Sequence, residues 1–183
     1  MWHTLLGDAK FLARLTATDE RIASEAQAGR CGHCGGRLDR GDYPRKPRDD
    51  LGESEVAWSR RISLCCSVDG CRHRLTPPSV RFLGRKVYAA PYIVLGLILG
   101  STARAIASAR TRRRWSEWWR TLFLASACWI ELRARFVPPV NERGLPTSLL
   151  SRVVGAPADA LTSMLEWISP VTTSSSRRRS TAM

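Results

Sequence analysis

The chain has 183 residues, 44 % of them hydrophobic, and 29 Arg and Lys against 16 Asp and Glu give it a formal net charge of +13. That length bounds it to one ordinary domain or two small ones, and the apolar share is globular. The basic excess points to a polyanionic partner and away from a small-molecule substrate.

The opening "MWHTLLGDAKFLARLTATDE" has no basic segment followed by a long apolar run, so no secretory signal is expected. The expected location is cytoplasmic and nucleoid-associated, where cysteines stay reduced and paired ones serve more often as metal ligands than as disulfides. Within residues 1–29, Leu5, Ala9, Leu12 and Leu15 keep helical spacing. A second helix can restart at Thr18 as an N-cap, with Gly29 just past its end.

Residues 30–76 hold the chemistry. "RCGHCGG", residues 30–36, and "LCCSVDGCRHR", residues 64–74, contain five of the six cysteines. Two thiolates two residues apart can share one ion if the backbone turns tightly behind them, which Gly35 and Gly36 permit. "RLDRGDY" and "RRISLCC" read as short strands around the turn-rich loop "PRKPRDDLGES". In the second strand Ile62, Leu64 and Cys66 share one face at period two and Cys65 points the other way. The expected site is therefore Zn2+ held by Cys31, Cys34, Cys66 and Cys71, with Cys65 as the alternative fourth ligand. His33 and His73 lie within ligand range; His33, between two ligands, is expected in solvent. Four thiolates leave no open position, so the site reads as structural, and metal binding supplies folding free energy to a segment of little apolar content.

The charge is concentrated further on. Between Arg72 and Phe136 lie 13 Arg or Lys and two acids, Glu117 and Glu131, so that stretch carries +11 and the rest +2. "RHRLTPPSVRFLGRKVY", residues 72–88, reads as a stiff basic connector whose Arg72, Arg74, Arg81, Arg85 and Lys86 lie along a phosphate backbone. Val87 to Ala103 is uncharged over 17 residues, but its strongly apolar part is shorter than the about 20 residues a membrane span needs. A core helix over Val87–Leu99 is expected there, and a membrane partner is not.

A short element around Thr102–Ser108 precedes a helix over 109–122, "ARTRRRWSEWWRTL". Trp115, Trp118, Trp119 and Leu122 fall at i, i+3, i+4 and i+7, one apolar face. Arg110, Arg113 and Arg120 point the opposite way, and Arg114 stands near the boundary. With Arg112, these residues are the candidate DNA contacts, to phosphates or to the guanine edge. Ser126 can cap a further helix, "ACWIELRARF", and Cys128 within it reads as a buried apolar residue. Two weaker helices follow in 137–170, and the polar tail 171–183 is expected to be disordered.

"CGHCGG…CCSVDGCRHR" followed by "RTRRRWSEWW" resembles the N-terminal zinc ribbon and helix-turn-helix of bacterial insertion-sequence proteins and transposases, over about residues 30–136. The expected fold is thus a small zinc ribbon of short antiparallel strands, 30–76, then an all-α helix-turn-helix-like bundle, 77–136, in an α-dominated chain. The resemblance implies binding to double-stranded DNA, beside a separate transposase subunit where one exists. After Phe136 the acids are Glu142, Asp159 and Glu166, on too little chain for the sheet that carries an RNase H-like acidic triad. No catalytic centre is expected. A DNA-binding subunit, a regulator or accessory protein, and a remnant of a longer reading frame all fit. A zinc-ribbon module binding protein or RNA is the alternative, and a small membrane-associated protein the more remote one.

Overall fold

Helix α1, Ala9–Ala28, organises the molecule, and its start is fixed by Asp8, whose carboxylate accepts the Lys10 N–H at 2.9 Å. A 3-10 turn, Trp2–Gly7, precedes it and Gly29 caps its end. Of the one or two helices that the sequence allows there, one forms, without a restart at Thr18. Thr18 lies inside the uninterrupted helix on the buried face formed by Phe11, Leu12, Leu15, Asp19 and Ala23. Packing along that face overrides the local capping preference of threonine. The computed structural model describes residues 2–44, 60–83, 89–100 and 108–173.

Beyond α1 the strands are short: β1 Leu38–Arg40, β2 Tyr43–Pro44, β3 Arg60–Arg61, β4 Leu64–Cys66 and β5 Arg74–Leu75. One antiparallel sheet has the order β1-β4-β5, and β2 pairs antiparallel with β3. The pairs Leu38↔Cys66 and Tyr43↔Arg61 keep one register, and the Gly41 N–H donates to the Ser63 carbonyl at 2.8 Å between them. The two ladders are therefore one continuous hairpin. In β4 Leu64 and Cys66 are buried and Cys65 is half-buried, the alternation expected of a strand with one face on a core.

The remaining elements are helical: α2 Ala90–Ile98, α3 Ala109–Trp118, α4 Ala127–Arg133, α5 Thr147–Leu150 and α6 Pro157–Ile168. Ser126 caps α4 as expected, accepting the Trp129 N–H at 3.2 Å, but α4 ends at Arg133 rather than Phe136. Residues from the segments 1–29, 77–136 and 137–170 meet in one buried cluster that includes Phe11, Leu15, Val94, Trp119, Trp129 and Leu161. A second, small cluster holds Cys31, Leu38, Leu64 and Cys66. Helix α1 spans both. Its first half enters the large core, while Ala26 packs on the small one and the Gln27 side chain donates to the Leu38 carbonyl at 2.8 Å. Arg40 on β1 holds Glu20 of α1 with two bonds, 2.6 and 2.8 Å. On its other flank, α1 is tied to α6 by Arg14–Asp159 and Arg21–Glu166.

The expected basic connector begins exposed, at residues 72–74, and runs into the interior at residues 79–83. Ser79, Val80, Arg81, Phe82 and Leu83 are all inside. Asp19 of α1, with no exposure, accepts from Ser79 Oγ at 2.6 Å, the Val80 N–H at 2.7 Å and Arg81 Nε at 2.8 Å. Arg61 is buried beside it and donates to the Pro77 carbonyl at 2.5 Å. A buried guanidinium needs a carboxylate or carbonyl to replace lost water, and Asp19 supplies it to Arg81. Arg81 is thus a structural residue, 2 % exposed, and not a phosphate contact.

Helix α3 departs from its expected periodicity. The turn that continues it, Trp119–Phe123, is π-helical. The wider i→i+5 turn shifts the sequence by one residue relative to an α-helix, so Phe123 enters the core in place of Leu122, which is 66 % exposed. Trp118, Trp119, Phe123 and Trp129 then pack as neighbouring rings, with centroids 4.5 Å apart for Trp119–Phe123 and 5.3 Å for Phe123–Trp129. Helix α2 is nine residues long and spans about 14 Å, against an apolar bilayer of about 30 Å. Among the described residues no helix is long and apolar enough to cross a membrane. The expected start of α2 at Val87, the element at Thr102–Ser108 up to residue 107, and the tail from residue 174 onward lie outside the described residues.

Candidate metal centre and basic helix face

The four cysteines selected by spacing and alternation come together. The sulfurs of Cys31, Cys34, Cys66 and Cys71 all lie within 4.8 Å of one another, with Cys34–Cys66 at 3.4 Å and Cys31–Cys71 at 3.9 Å. None of the six cysteines forms a disulfide. A tetrahedral ion with metal–sulfur bonds of about 2.3 Å sets its ligands about 3.8 Å apart. The observed spacings bracket that value, so the donor set can hold a metal ion. Cys65 is outside the set, its thiol turned to the Cys66 and Arg72 carbonyls at 3.7 and 3.9 Å.

Two turns build this geometry. In the first, the Gly35 N–H donates to the Cys31 carbonyl at 2.7 Å and the Cys31 N–H to the Gly36 carbonyl at 2.9 Å. Gly35 adopts φ +73°, and a Cβ on Gly36 would overlap Val68 Cγ2 and stand 3.1 Å from Cys66 Sγ. A side chain at 36 would make the Val68 side chain shift and crowd the sulfurs of Cys34 and Cys66. In the second turn Gly70 takes φ +84°, and the Cys71 N–H donates to the Val68 carbonyl at 3.1 Å. The two turns share one device. The N–H two residues after each cysteine, of His33, Gly36, Val68 and His73, bonds the sulfur of Cys31, Cys34, Cys66 and Cys71 respectively.

Those bonds favour thiolates. Led by the His33 N–H and then that of Cys34, they pull the Cys31 thiol down to about 7. Gly36, Val68 and His73 pull on the other three as well, yet burial and hydrogen bonding among the crowded thiols leave Cys34, Cys66 and Cys71 above the ordinary value. Four sulfurs this close cannot all ionise unless a cation sits among them. His33 and His73 are exposed, their rings stacked at 6.0 Å, and His33 Nδ1 stands 3.7 Å from Cys71 Sγ. They flank the cluster without joining it.

The basic helix presents a second feature. Ser108 caps α3, accepting the Thr111 N–H at 3.2 Å, and Trp115 and Trp119 anchor its inner face. Arg110, Arg113, Arg114 and Arg120 are exposed, Arg112 is half-buried, and the first four form no ion pair among the described residues. Elsewhere Arg14, Arg21, Arg37, Arg40, Arg72 and Arg133 each hold a carboxylate, while the exposed Arg30, Arg60, Arg74, Arg135 and Arg143 are in no ion pair among the described residues. Arg14–Asp159, Arg21–Glu166 and Arg40–Glu20 tie elements together, whereas the four exposed arginines gathered on one helical stretch at 110–120 stand outside such pairs. Arg72 and Arg74 are exposed beside the second turn of the metal centre, whereas Arg85 and Lys86 lie outside the described residues.

Sequence reasoning missed Asp19, which had no marker beyond being an acid in a helix, and the N–H donors at Val68 and His73. Cys128, expected as an apolar core residue, is half-buried, sits 3.5 Å from the Trp167 carbonyl, and has its thiol pushed up by burial. No family model matches the chain, nor does any curated protein or solved structure.

Proposed function

We propose that this chain is a zinc-stabilised DNA-binding protein of a bacterial mobile element, acting as a transposase accessory, regulator or DNA-binding remnant without a catalytic centre of its own. Residues 30–76 serve as the zinc ribbon, and α2 to α4 as the helix-turn-helix-like unit that presents α3 to duplex DNA. The observation that carries this reading is the row of uncompensated arginines on a helix whose opposite face is locked in by Trp115, Trp119 and Phe123. An all-sulfur donor set favours Zn2+ over hard cations, which prefer oxygen.

Cys31, Cys34, Cys66 and Cys71 would hold the ion, which when bound would offset half of the charge of four thiolates and cross-link the two turns. The remaining work belongs to the chain itself. Gln27 and Glu20 of α1 hold β1, so the metal unit is braced against the helix that also supports the core under α3. Four free guanidiniums on one helix displace counterions from phosphates, giving salt-dependent affinity with a slope near −0.9 per contact.

Metal analysis of the purified chain, joined to a salt titration of duplex binding, tests the reading. The expected result is one zinc per chain and log affinity falling with log salt at a slope of about −3.6 for four contacts. The combined variant R110A/R113A/R114A/R120A is expected to keep its zinc and lose that binding. Absence of salt-dependent duplex binding in the wild-type chain refutes it.

A further inference from the structure

Resting on the DNA-binding reading, we infer that the arginines of α3 divide into two rows, and that one row seats a single phosphodiester strand of the duplex in a groove between α2 and α3. The groove is a solvent-open depression of about 830 Å3. Its α2 side includes the buried Gly96 and, just past the end of the helix, Gly100, where nothing stands within 4 Å of an added Cβ and the backbone is open to close approach. Its α3 wall carries Arg113, Ser116, Glu117 and Arg120, positions that follow one another at helical spacing.

Arg110 and Arg114 do not line this groove. On the helix they project beyond Glu117, toward open solvent. The two rows therefore meet different parts of a duplex: a strand lying against α2 meets Arg113 and Arg120, while Arg110 and Arg114 extend past it. Arg112 adds a third guanidinium on the buried side of the groove. Set against Glu117, the groove side chains carry a net charge of +2, which outweighs the partial negative charge of the carbonyl end of α2. Ser116, between the two arginines, places a hydroxyl donor where a phosphate oxygen would sit.

Glu117 makes the inference testable, because it is the one carboxylate in the groove and would repel a phosphate there. Duplex affinity is measured by salt titration for the full chain and for E117Q, S116D, R113Q/R120Q and R110Q/R114Q, with helix content and tryptophan fluorescence checking each fold. E117Q is expected to tighten binding about threefold at low salt and S116D to weaken it by a similar factor. R113Q/R120Q is expected to flatten the salt slope by about 1.8, at about 0.9 per lost contact. The E117Q gain should persist in R110Q/R114Q. If the wild-type chain binds duplex but E117Q and S116D leave affinity unchanged, the groove is not the phosphate seat and the inference is overturned while the DNA-binding reading stands. If the wild-type chain does not bind duplex, the reading itself fails first. Should R113Q/R120Q leave the slope intact while R110Q/R114Q flattens it, the phosphates lie on the outer row.

Discussion

Substituting Asp19 with alanine should be among the most damaging single changes in the molecule, although Asp19 touches neither the metal centre nor the basic helix. The change deletes the acceptor of three bonds, from Ser79 Oγ, the Val80 N–H and Arg81 Nε, all 2.8 Å or shorter. It also leaves the Arg81 guanidinium in the interior, 5.3 Å from the centre of the Phe82 ring. Removing one partner of a buried ion pair costs about 3–5 kcal/mol, against a total stability of about 5–15 kcal/mol for a domain. With a urea dependence of about 2 kcal/mol per molar, the unfolding midpoint should fall by about 2 M. Buried Trp119 and Trp129 report the transition by fluorescence. The paired replacement D19L/R81M removes both charges together and should recover the part of the loss due to the unpaired guanidinium, but not the part due to the buried Ser79 hydroxyl and Val80 N–H, which still lack their acceptor. If D19A unfolds within about 1 kcal/mol of the wild type, the clasp between α1 and residues 79–82 does not stabilise the fold as argued.

Two further outcomes follow from the geometry. C66S should abolish stoichiometric zinc and C65S should leave it intact; in the zinc-loaded chain, Cys65 should be the one thiol alkylated rapidly near pH 8, since burial holds the Cys128 thiol above its usual range. Mass spectrometry of the labelled peptides reads this, and rapid labelling at Cys66 would contradict the ligand set. At low pH, the stability lost by E20Q should vanish: the Arg40 hydrogen bond, with Coulombic help from Arg40 and Arg81, holds Glu20 below its ordinary value, so its contribution exists above that value and disappears as pH falls through the lowered one. Glu20 and Arg40 are each nearly half exposed, which limits the effect to about 1 kcal/mol; urea midpoints of both proteins across pH 2–6 measure it, and a difference that persists at the acid end would contradict it.

Much of the metal centre was legible in the chain itself. Two glycine-backed or turn-forming cysteine pairs around strand, loop and strand specify a four-sulfur cluster, and strand alternation chose Cys66 over Cys65 because side chains alternate faces at period two. The anchoring of α3 by Trp115 and Trp119 was likewise readable, since helical period is a local property. Its limit came at Leu122: a π-helical turn shifts register by one, and nothing in the spacing of tryptophans announces where such a turn will fall. Arg81 marks the other boundary. It stands in a run of basic residues and by composition belongs with the phosphate contacts, but its partner Asp19 lies 62 residues earlier in the chain. Whether a charge faces solvent or a buried counter-charge depends on which distant segments meet, and that pairing is set by packing rather than by neighbours in sequence. Local periodicity determined what each element can present; only the tertiary fold decided which arginines were spent inside and which remained free on α3.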